Sequence, residues 1–193
     1  MLTPDQVTAC LVTRGDVDLD PIVSTLPYGE VVVWDNSQKD REWRCYGRYL
    51  AVAETDKPVI YFQDDDLIFT AHQELLEQYR PDRMVVNMPS PWYEVAEYDK
   101  VGQALVGAGS LVPRGLPFPA LRRYLSVYPC DELFLNYADV VVGMLTPFER
   151  VDLGYEVLDY ASAPGRIWTT PGALDRKKTM QQRAIEMREA VAA

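Results

Sequence analysis

Three consecutive aspartates, Asp64, Asp65 and Asp66, close an apolar run from Val59 to Gln63. A run of β-branched and aromatic residues is typical of a buried strand. Carboxylates crowded at the end of such a strand repel one another unless a cation compensates them, and Mg²⁺ and Mn²⁺ prefer oxygen ligands. The triplet therefore predicts a metal site at the rim of a sheet, although a solvated acidic turn would explain the same residues.

Polar residues also close the two apolar runs that come earlier, Val7–Val12 and Glu30–Trp34. These residues are Thr13 and Arg14 after the first run, and Asp35 and Asn36 after the second. Ligands of open α/β sheets bind outside the carboxyl ends of the strands, so these side chains are predicted to line one cleft. The polar groups suit a nucleobase and ribose, and Arg14 or Arg48 adds positive charge for phosphates. No glycine-rich phosphate loop follows the first run, which disfavours a dinucleotide site or a Walker-type kinase.

Strand and helix patterns alternate as far as residue 88, which predicts an α/β fold with a mostly parallel sheet in the N-terminal half. The pattern becomes mixed after that point, and one domain accounts for the 193 residues. The predicted helices are Asp20–Leu26, Asp40–Glu54, His72–Arg80 with Thr70 and Gln73 as a capping box, Ala120–Ser126, one starting near Asp131, and Ala173–Ala192. The later predicted strands are Met84–Met88, Ala104–Val112, Phe148–Leu153 and Tyr155–Leu158, and Pro89–Tyr93 is predicted as a loop.

Composition excludes several classes of function. A net charge of −10 disfavours a protein that follows a nucleic-acid backbone with its whole surface. No apolar run approaches the ~20 residues that a membrane span requires. The three cysteines have neither metal-site nor disulfide spacing, and the N-terminus lacks the pattern of a signal peptide, so we expect a cytoplasmic protein.

Two further groups of charged residues have both a structural and a functional interpretation. Asp131 and Glu132 open a helix, where the helix dipole stabilises acidic residues, or one of them faces a reacting centre. Arg176, Lys177 and Lys178 follow a Gly/Pro segment, and they form either a solvated helix face or a lid over a diphosphate. His72, the only histidine, is expected to be exposed, and its being alone excludes a multi-histidine zinc site.

The order of these motifs resembles that of GT-A-fold glycosyltransferases, and most nearly that of the exostosin-like domain, glycosyltransferase family 64. The stretches that carry the resemblance are 31–36, 64–68, 130–137 and 173–176. The resemblance implies a Rossmann-like mixed sheet flanked by helices in a single glycosyltransferase domain, 1–193. It also implies a nucleotide-binding half (1–88), an acceptor half (89–170) and a C-terminal lid and helix (171–193).

The same resemblance implies a metal-dependent transferase of the hexosyl or N-acetylhexosaminyl type. Its donor would be a nucleotide sugar, linked through uridine diphosphate, and its cofactor Mn²⁺ or Mg²⁺. The implied metal ligands are Asp66 and Asp64, the donor contacts are Thr13, Arg14, Asp35, Asn36, Arg48, Asp64 and Asp65, and the catalytic residues are Asp131, Glu132 and Arg176. Glu132 stands where the family has aspartate, and the chain is short for the family.

Several alternatives stay open at this point. The acidic triplet also fits a phosphatase of the haloacid dehalogenase type, in which Asp64 would be the nucleophile, or a nucleotidyltransferase. A binding module without catalytic activity is a further alternative. The acceptor could be a glycan, a modified nucleobase or a small molecule, and Trp92, Tyr93 and Trp168 could stack on it. Retention or inversion of the anomeric centre and the oligomeric state are not determined by the sequence.

Overall fold

A mixed sheet of six strands forms the centre of the molecule. The computed structural model describes residues 1–90, 94 and 98–192. The strands of the central sheet are β1 (Val7–Thr13), β2 (Glu30–Asp35), β3 (Val59–Asp64), β5 (Met84–Asn87), β6 (Ala108–Pro113) and β7 (Phe148–Val151). A separate two-stranded antiparallel sheet consists of β4 (Leu67–Ile68) and β8 (Glu156–Val157).

The spatial order of the central strands is β2-β1-β3-β6-β5-β7. Strand β6 runs antiparallel to both of its neighbours, β3 and β5, while the other paired strands run parallel. Strands from both halves of the sequence therefore pair in one sheet. The carboxyl ends of β1, β2 and β3 lie at the same edge, as predicted, because these three strands are mutually parallel.

Seven α-helices surround the sheet in the described part of the chain. They are α1 (Asp20–Val23), α2 (Gly47–Ala51), α3 (His72–Gln78), α4 (Tyr98–Val101), α5 (Pro117–Leu125), α6 (Glu132–Leu145) and α7 (Ala173–Ala192). None of these helices is long and apolar enough to cross a lipid bilayer. Short 3₁₀ turns at 44–46 and 52–54 extend α2, and turns at 159–162 and 167–169 lie in the segment between β8 and α7.

Alternate residues of the central strands enter two different hydrophobic clusters, since successive side chains of a strand point to opposite faces. Ile60 and Phe62 of β3 pack with α2, α5, α6 and α7 on one face. Val59 and Tyr61 pack with α3 and Tyr28 on the other face. Both faces of the sheet are thus covered, which explains why β1 and β3 are buried at almost every position.

The helix predicted over Asp40–Glu54 is wrong in its first part. Residues 39–43 are not helical, and Arg44 has a positive φ of 54°, which an α-helix does not tolerate. The backbone N–H of Trp43 donates to the side chain of Asn36 at 2.8 Å and holds the segment in another conformation. The capping box predicted at Thr70 and Gln73 is also wrong, because α3 begins after Ala71 and has no side-chain cap.

The prediction that His72 is exposed is wrong as well. Its side chain is 4% exposed, and its Nδ1 lies 3.2 Å from the hydroxyl oxygen of Tyr28. The rings of Tyr61 and Phe69 pack against the imidazole. Burial lowers the pKa of His72 to about 4, so the ring is neutral at physiological pH and belongs to the core. Residues 91–93 of the predicted loop, with Trp92 and Tyr93, lie outside the described residues.

Candidate active site

A cleft opens at the carboxyl ends of β1 and β3, where the polar strand ends were predicted to meet. Its walls come from the end of β1, the acidic triplet, residues 103–107, α6 and the segment 165–168, with Lys177 of α7. The cleft has a volume of about 150 Å³ and opens to solvent.

Asp64 is held at this edge by its backbone and by its carboxylate. Its N–H donates to the carbonyl oxygen of Gly107 at 2.7 Å, and its carboxylate forms an ion pair with Arg48. The guanidinium of Arg48 is almost completely buried and lies 3.3 Å from Oδ2 of Asp139. Tyr49 donates its hydroxyl to the other oxygen of Asp139 at 2.6 Å. Arg48 therefore bridges two carboxylates and fixes the position of Asp64.

The close approach at Gly107 depends on the absence of a side chain. A Cβ atom at this position would lie 2.1–2.3 Å from the carboxylate atoms of Asp64. Separations under 3 Å are not tolerated between such atoms, so only glycine leaves space for the carboxylate where it stands. Gly107 is thus required by the acidic residue opposite it.

Asp65 and Arg166 form a buried ion pair across the cleft. Nη1 of Arg166 lies 2.6 Å from Oδ1 of Asp65, and both side chains are 8% exposed. Burial raises the pKa of Asp65, while Arg166 and a hydrogen bond from Thr13 oppose that shift. Nε and Nη2 of Arg166 are buried and have no hydrogen-bond partner. These two donors are available to an anionic ligand.

Asp66 has the most unfavourable electrostatic environment of the three aspartates. Burial, followed by the charges of Asp64 and Asp65, raises the pKa of Asp66 to about 7. No Lys or Arg of the described chain lies within ion-pair distance of its carboxylate. Its carbonyl oxygen accepts a hydrogen bond of 2.9 Å from the N–H of Leu158, which fixes the backbone. A cation bound here would relieve the repulsion that the protein leaves uncompensated.

Four of the cationic side chains that line the cleft are paired with carboxylates. These are Arg14 with Asp16, Arg44 with Glu42, Arg48 with Asp64 and Asp139, and Arg166 with Asp65. Lys177 also lines the cleft and is 6% exposed, but it forms no ion pair with any described residue. Its Nζ lies 4.0 Å from the ring centroid of Tyr98 and 5.4 Å from that of Trp168. Burial lowers the pKa of Lys177 to about 8.

Most of the donor contacts predicted from the sequence come together in the cleft. Its lining includes Thr13, Arg14, Asn36, Arg48, Asp64, Asp65 and Asp66. The side chain of Asn36 is occupied by the backbone, since its Nδ2 donates to the carbonyl oxygen of Thr13 at 3.1 Å. Asp35 lies outside the lining, and its carboxylate caps the next turn by accepting from the N–H of Ser37 at 2.9 Å.

The three residues predicted to be catalytic are not part of the lining. Asp131 caps α6, because its Oδ1 accepts from the N–H of Phe134 at 2.9 Å. Glu132 is exposed in the first turn of that helix. The guanidinium of Arg176 donates to the carbonyl oxygen of Pro171 at 2.7 Å and to the Thr170 hydroxyl at 2.6 Å. Their catalytic roles therefore stay predictions.

Sequence reasoning missed Asp139, Arg166 and Lys177 as residues of the cleft. Asp139 carried a recognisable signal, because it is a carboxylate inside an apolar stretch of α6, and such a group needs a buried partner. Lys177 belongs to the basic cluster noted in the sequence, but only the orientation of α7 shows which member faces the cleft. Nothing in the sequence around Arg166 distinguished it from other arginines of a loop.

Neither protein-family models nor curated proteins give a match to the sequence. Solved structures do match the fold. One is the mannosyltransferase PcManGT from Pyrobaculum calidifontis, in complex with GDP-Man and Mn²⁺, with a TM-score of 0.55 and 14% identity over 99% of this chain and 77% of that chain. Another is glucosyl-3-phosphoglycerate synthase from Mycobacterium tuberculosis, in complex with Mn²⁺, UDP-glucose and phosphoglyceric acid, with a TM-score of 0.52 and 13% identity over 95% of this chain and 78% of that chain.

These similarities establish the architecture. The chain has the mixed α/β, Rossmann-like fold of GT-A-type glycosyltransferases, as its motifs predicted. At 13–14% identity the likeness concerns the fold alone. The matched proteins use nucleotide sugars, and the cleft described above lies at the carboxyl ends of the strands, where open α/β sheets bind their ligands.

Proposed function

We propose that this protein is a metal-dependent glycosyltransferase that moves a sugar from a nucleotide-sugar donor to an acceptor hydroxyl. The observation that carries the proposal is the cleft at the carboxyl ends of β1 and β3. Among the described residues, no Lys or Arg lies within ion-pair distance of the Asp66 carboxylate in this cleft, and two N–H donors of Arg166 have no acceptor. A metal ion bound to a nucleotide diphosphate would complement these groups.

The donor atoms of the cleft fit a hard divalent cation such as Mn²⁺ or Mg²⁺. Asp66 and Asp64 offer carboxylate oxygens, and burial, followed by the charges of Asp64 and Asp65, raises the pKa of Asp66. No group of three acidic, His or Cys side chains in the described chain is arranged to hold a metal by itself. This agrees with an ion of the Mg²⁺ type, which binds one or two carboxylates and takes its other ligands from phosphates and water.

The residues of the cleft then have distinct tasks. The bound metal ion would neutralise charge that develops on the leaving diphosphate. Arg48 and Asp139 hold Asp64 in place, and Arg166 holds Asp65 and keeps two N–H donors without a protein acceptor, which we propose bind the diphosphate. In the reaction the bond from the anomeric carbon to the diphosphate oxygen breaks and a bond to the acceptor oxygen forms, while the acceptor hydroxyl gives its proton to a general base, which in an inverting reaction would be Asp131 or Glu132. Preorganised cationic donors lower the barrier of such a step.

The finer assignments rest on the motif order and not on the fold. We propose a uridine-linked donor, transfer of the hexosyl or N-acetylhexosaminyl type, and a relationship to the exostosin-like domain. The roles of Asp131, Glu132 and Arg176, the division into halves at residue 88 and the cytoplasmic location belong to the same set of proposals. The neighbours bind either UDP or GDP sugars, so the donor base has to be tested directly.

A thermal-shift panel tests the donor and the metal together through ligand linkage. UDP and GDP sugars are added with Mn²⁺, with Mg²⁺ or with a chelator. We expect stabilisation by a UDP sugar only when metal is present, and loss of that stabilisation in Asp66→Asn. Asp56→Asn is the matched control. Asp56 precedes β3, whereas Asp66 follows it, and the side chain of Asp56 is fully exposed.

Two results would contradict the proposal. Full stabilisation of Asp66→Asn by donor and metal would remove Asp66 from the metal site. Formation of an acid-stable phosphoenzyme on Asp64 would favour a phosphatase, and release of pyrophosphate from a nucleoside triphosphate would favour a nucleotidyltransferase.

A further inference from the structure

Two groups of side chains in the cleft lining carry opposite charge, and they define an acidic end and a cationic end. The acidic end consists of Asp64, Asp65 and Asp66. The cationic end consists of Lys177 with the rings of Tyr98 and Trp168. Lys177 lies beyond ion-pair distance of all three aspartates, so the two ends do not neutralise each other.

We propose that the cationic end is the acceptor subsite and that it binds an acceptor carrying a phosphate or carboxylate group. This inference rests on the glycosyltransferase function proposed above and specifies its substrate class. Lys177 would bind the anionic group, and the exposed ring of Trp168 would pack against the carbon skeleton of the acceptor.

The first argument is the state of the Lys177 side chain. A lysine residue that is only 6% exposed is costly for the fold, and buried charges are normally paired. Lys177 has no carboxylate partner in the described chain and contacts only aromatic faces. Cation–π contacts leave the N–H donors of the ammonium group unused, so an anionic ligand is the partner that this geometry lacks.

The second argument is that the diphosphate of the donor already has a cation at the other end. Nε and Nη2 of Arg166 are buried, lack hydrogen-bond partners and belong to the side chain that pairs with Asp65. Together with a metal at Asp66 they provide the positive charge that a diphosphate requires. Lys177, which forms no ion pair with the triplet, is therefore available for a second anion.

The third argument concerns the mouth of the cleft. Trp168 lines the cleft, yet 57% of its surface is exposed. A large aromatic ring that stays in solvent beside a polar cavity offers a flat apolar surface to a ligand. With Lys177 5.4 Å from this ring, one small hydroxylated acid can contact both side chains at once.

Calorimetric titration of the protein tests the subsite with three probes: inorganic phosphate, glycerate, and glycerol as the uncharged control. Each is titrated into the free protein and into the protein saturated with UDP and Mg²⁺. We expect phosphate or glycerate to bind in both states and glycerol not to bind. A preference for phosphate over glycerate, or the reverse, identifies which anionic group the acceptor carries.

Substitution of Lys177 then decides whether this side chain binds the acceptor or the donor. In Lys177→Met we expect the affinity for the anionic probe to fall at least about tenfold, the loss typical of a charged hydrogen bond, while the affinity for UDP with Mg²⁺ stays within about twofold. Lys178→Met is the matched control, because Lys178 is the exposed neighbour on the same helix, and it should leave both affinities unchanged. If Lys177→Met is poorly folded, Trp168→Ala, at an exposed position, should weaken glycerate binding with the UDP affinity unchanged.

The outcomes separate this inference from the function on which it rests. Loss of UDP affinity in Lys177→Met with unchanged anion binding would assign Lys177 to the donor diphosphate and overturn the inference. Absence of any anion binding to the wild-type protein would overturn it as well. Failure of the glycosyltransferase proposal would appear differently, as a wild-type protein that binds neither UDP with Mg²⁺ nor any nucleotide sugar.

Discussion

Arg48 and Lys177 are both buried cations at the same cleft, yet their surroundings are opposite. Arg48 lies between the carboxylates of Asp64 and Asp139, which hold its pKa well above the ordinary value despite burial. Lys177 faces aromatic rings, and burial lowers its pKa. A cation with protein partners fixes the geometry of the site, whereas a cation without partners remains free to bind a ligand and lowers the stability of the ligand-free fold.

The largest effect is expected from removal of the paired cation. Arg48→Met leaves two carboxylates without a counter-charge, and breaking a buried ion pair in this way costs about 3–5 kcal/mol. Urea denaturation at pH 8 measures the loss in the free energy of unfolding. Arg83→Met, which removes an exposed guanidinium, should leave stability almost unchanged, and equal losses in both variants would contradict the bridging role of Arg48.

The next effect concerns the carboxylate that has no partner. Asp66→Asn should reduce the rate of glycosyl transfer about 100-fold or more. The substitution removes a proposed ligand of the metal ion that would stabilise the charge on the leaving diphosphate. The folded-state pKa of Asp66, raised to about 7, means that its ionisation destabilises the native state as pH rises from about 4 to 7. Without metal at pH 8, the variant should therefore melt about 2–4 °C higher. Lower stability together with full activity would contradict both statements.

A smaller loss is expected where the backbone approaches the triplet. Gly107→Ala places a methyl group against the Asp64 carboxylate, and overpacking of this kind costs about 1–3 kcal/mol. The melting temperature and the affinity for the donor should both decrease. Gly115→Ala is the control, because a Cβ at Gly115 has no atom within 4 Å; the same loss there would show that the carboxylate contact is not the cause.

The most gradual effect is a pH dependence due to the cation that has no carboxylate partner among the described residues. The folded-state pKa of Lys177, about 8, lies below its ordinary value of 10.5, so the unfolded state binds more protons between these limits. The wild type should gain stability relative to Lys177→Met as pH rises from 8 to 10.5, by no more than about 1.4 kcal/mol per pH unit. Melting curves of both proteins, with Lys178→Met as the control, measure this difference. Parallel pH profiles for the wild type and Lys177→Met would contradict an unpaired charge.

The N-terminal strands were predictable because their apolar runs are bounded by polar residues. Strands β1, β2 and β3 begin where the pattern predicts and end one residue later. The helix expected at Asp40 failed because the backbone N–H of Trp43 donates to the side chain of Asn36, seven residues earlier, and this bond overrides the local helical preference. The apolar spacing of the segment does not reveal a side-chain bond of this kind.

Only part of the candidate site was predictable from the sequence. The acidic triplet is adjacent in sequence and was recognised, whereas its partners lie 16 to 101 positions away. Arg176 and Lys177 differ by one position, which on a helix is a rotation of about 100°. The sequence identified the basic cluster, but only the packing of α7 shows that Lys177 faces the cleft and Arg176 the segment before the helix.

The pairing of β4 with β8 has a consequence for redesign. Leu67 and Ile68, which directly follow the triplet, pair as a strand with Val157 and Glu156. The N–H of Leu158 donates a hydrogen bond to the carbonyl oxygen of Asp66. The stretch that carries Arg166 therefore starts from an anchor on Asp66 itself. An engineer who exchanges residues 159–172 for a foreign loop must keep this anchor intact, because a shift of one residue there would displace the carboxylate along with the new loop.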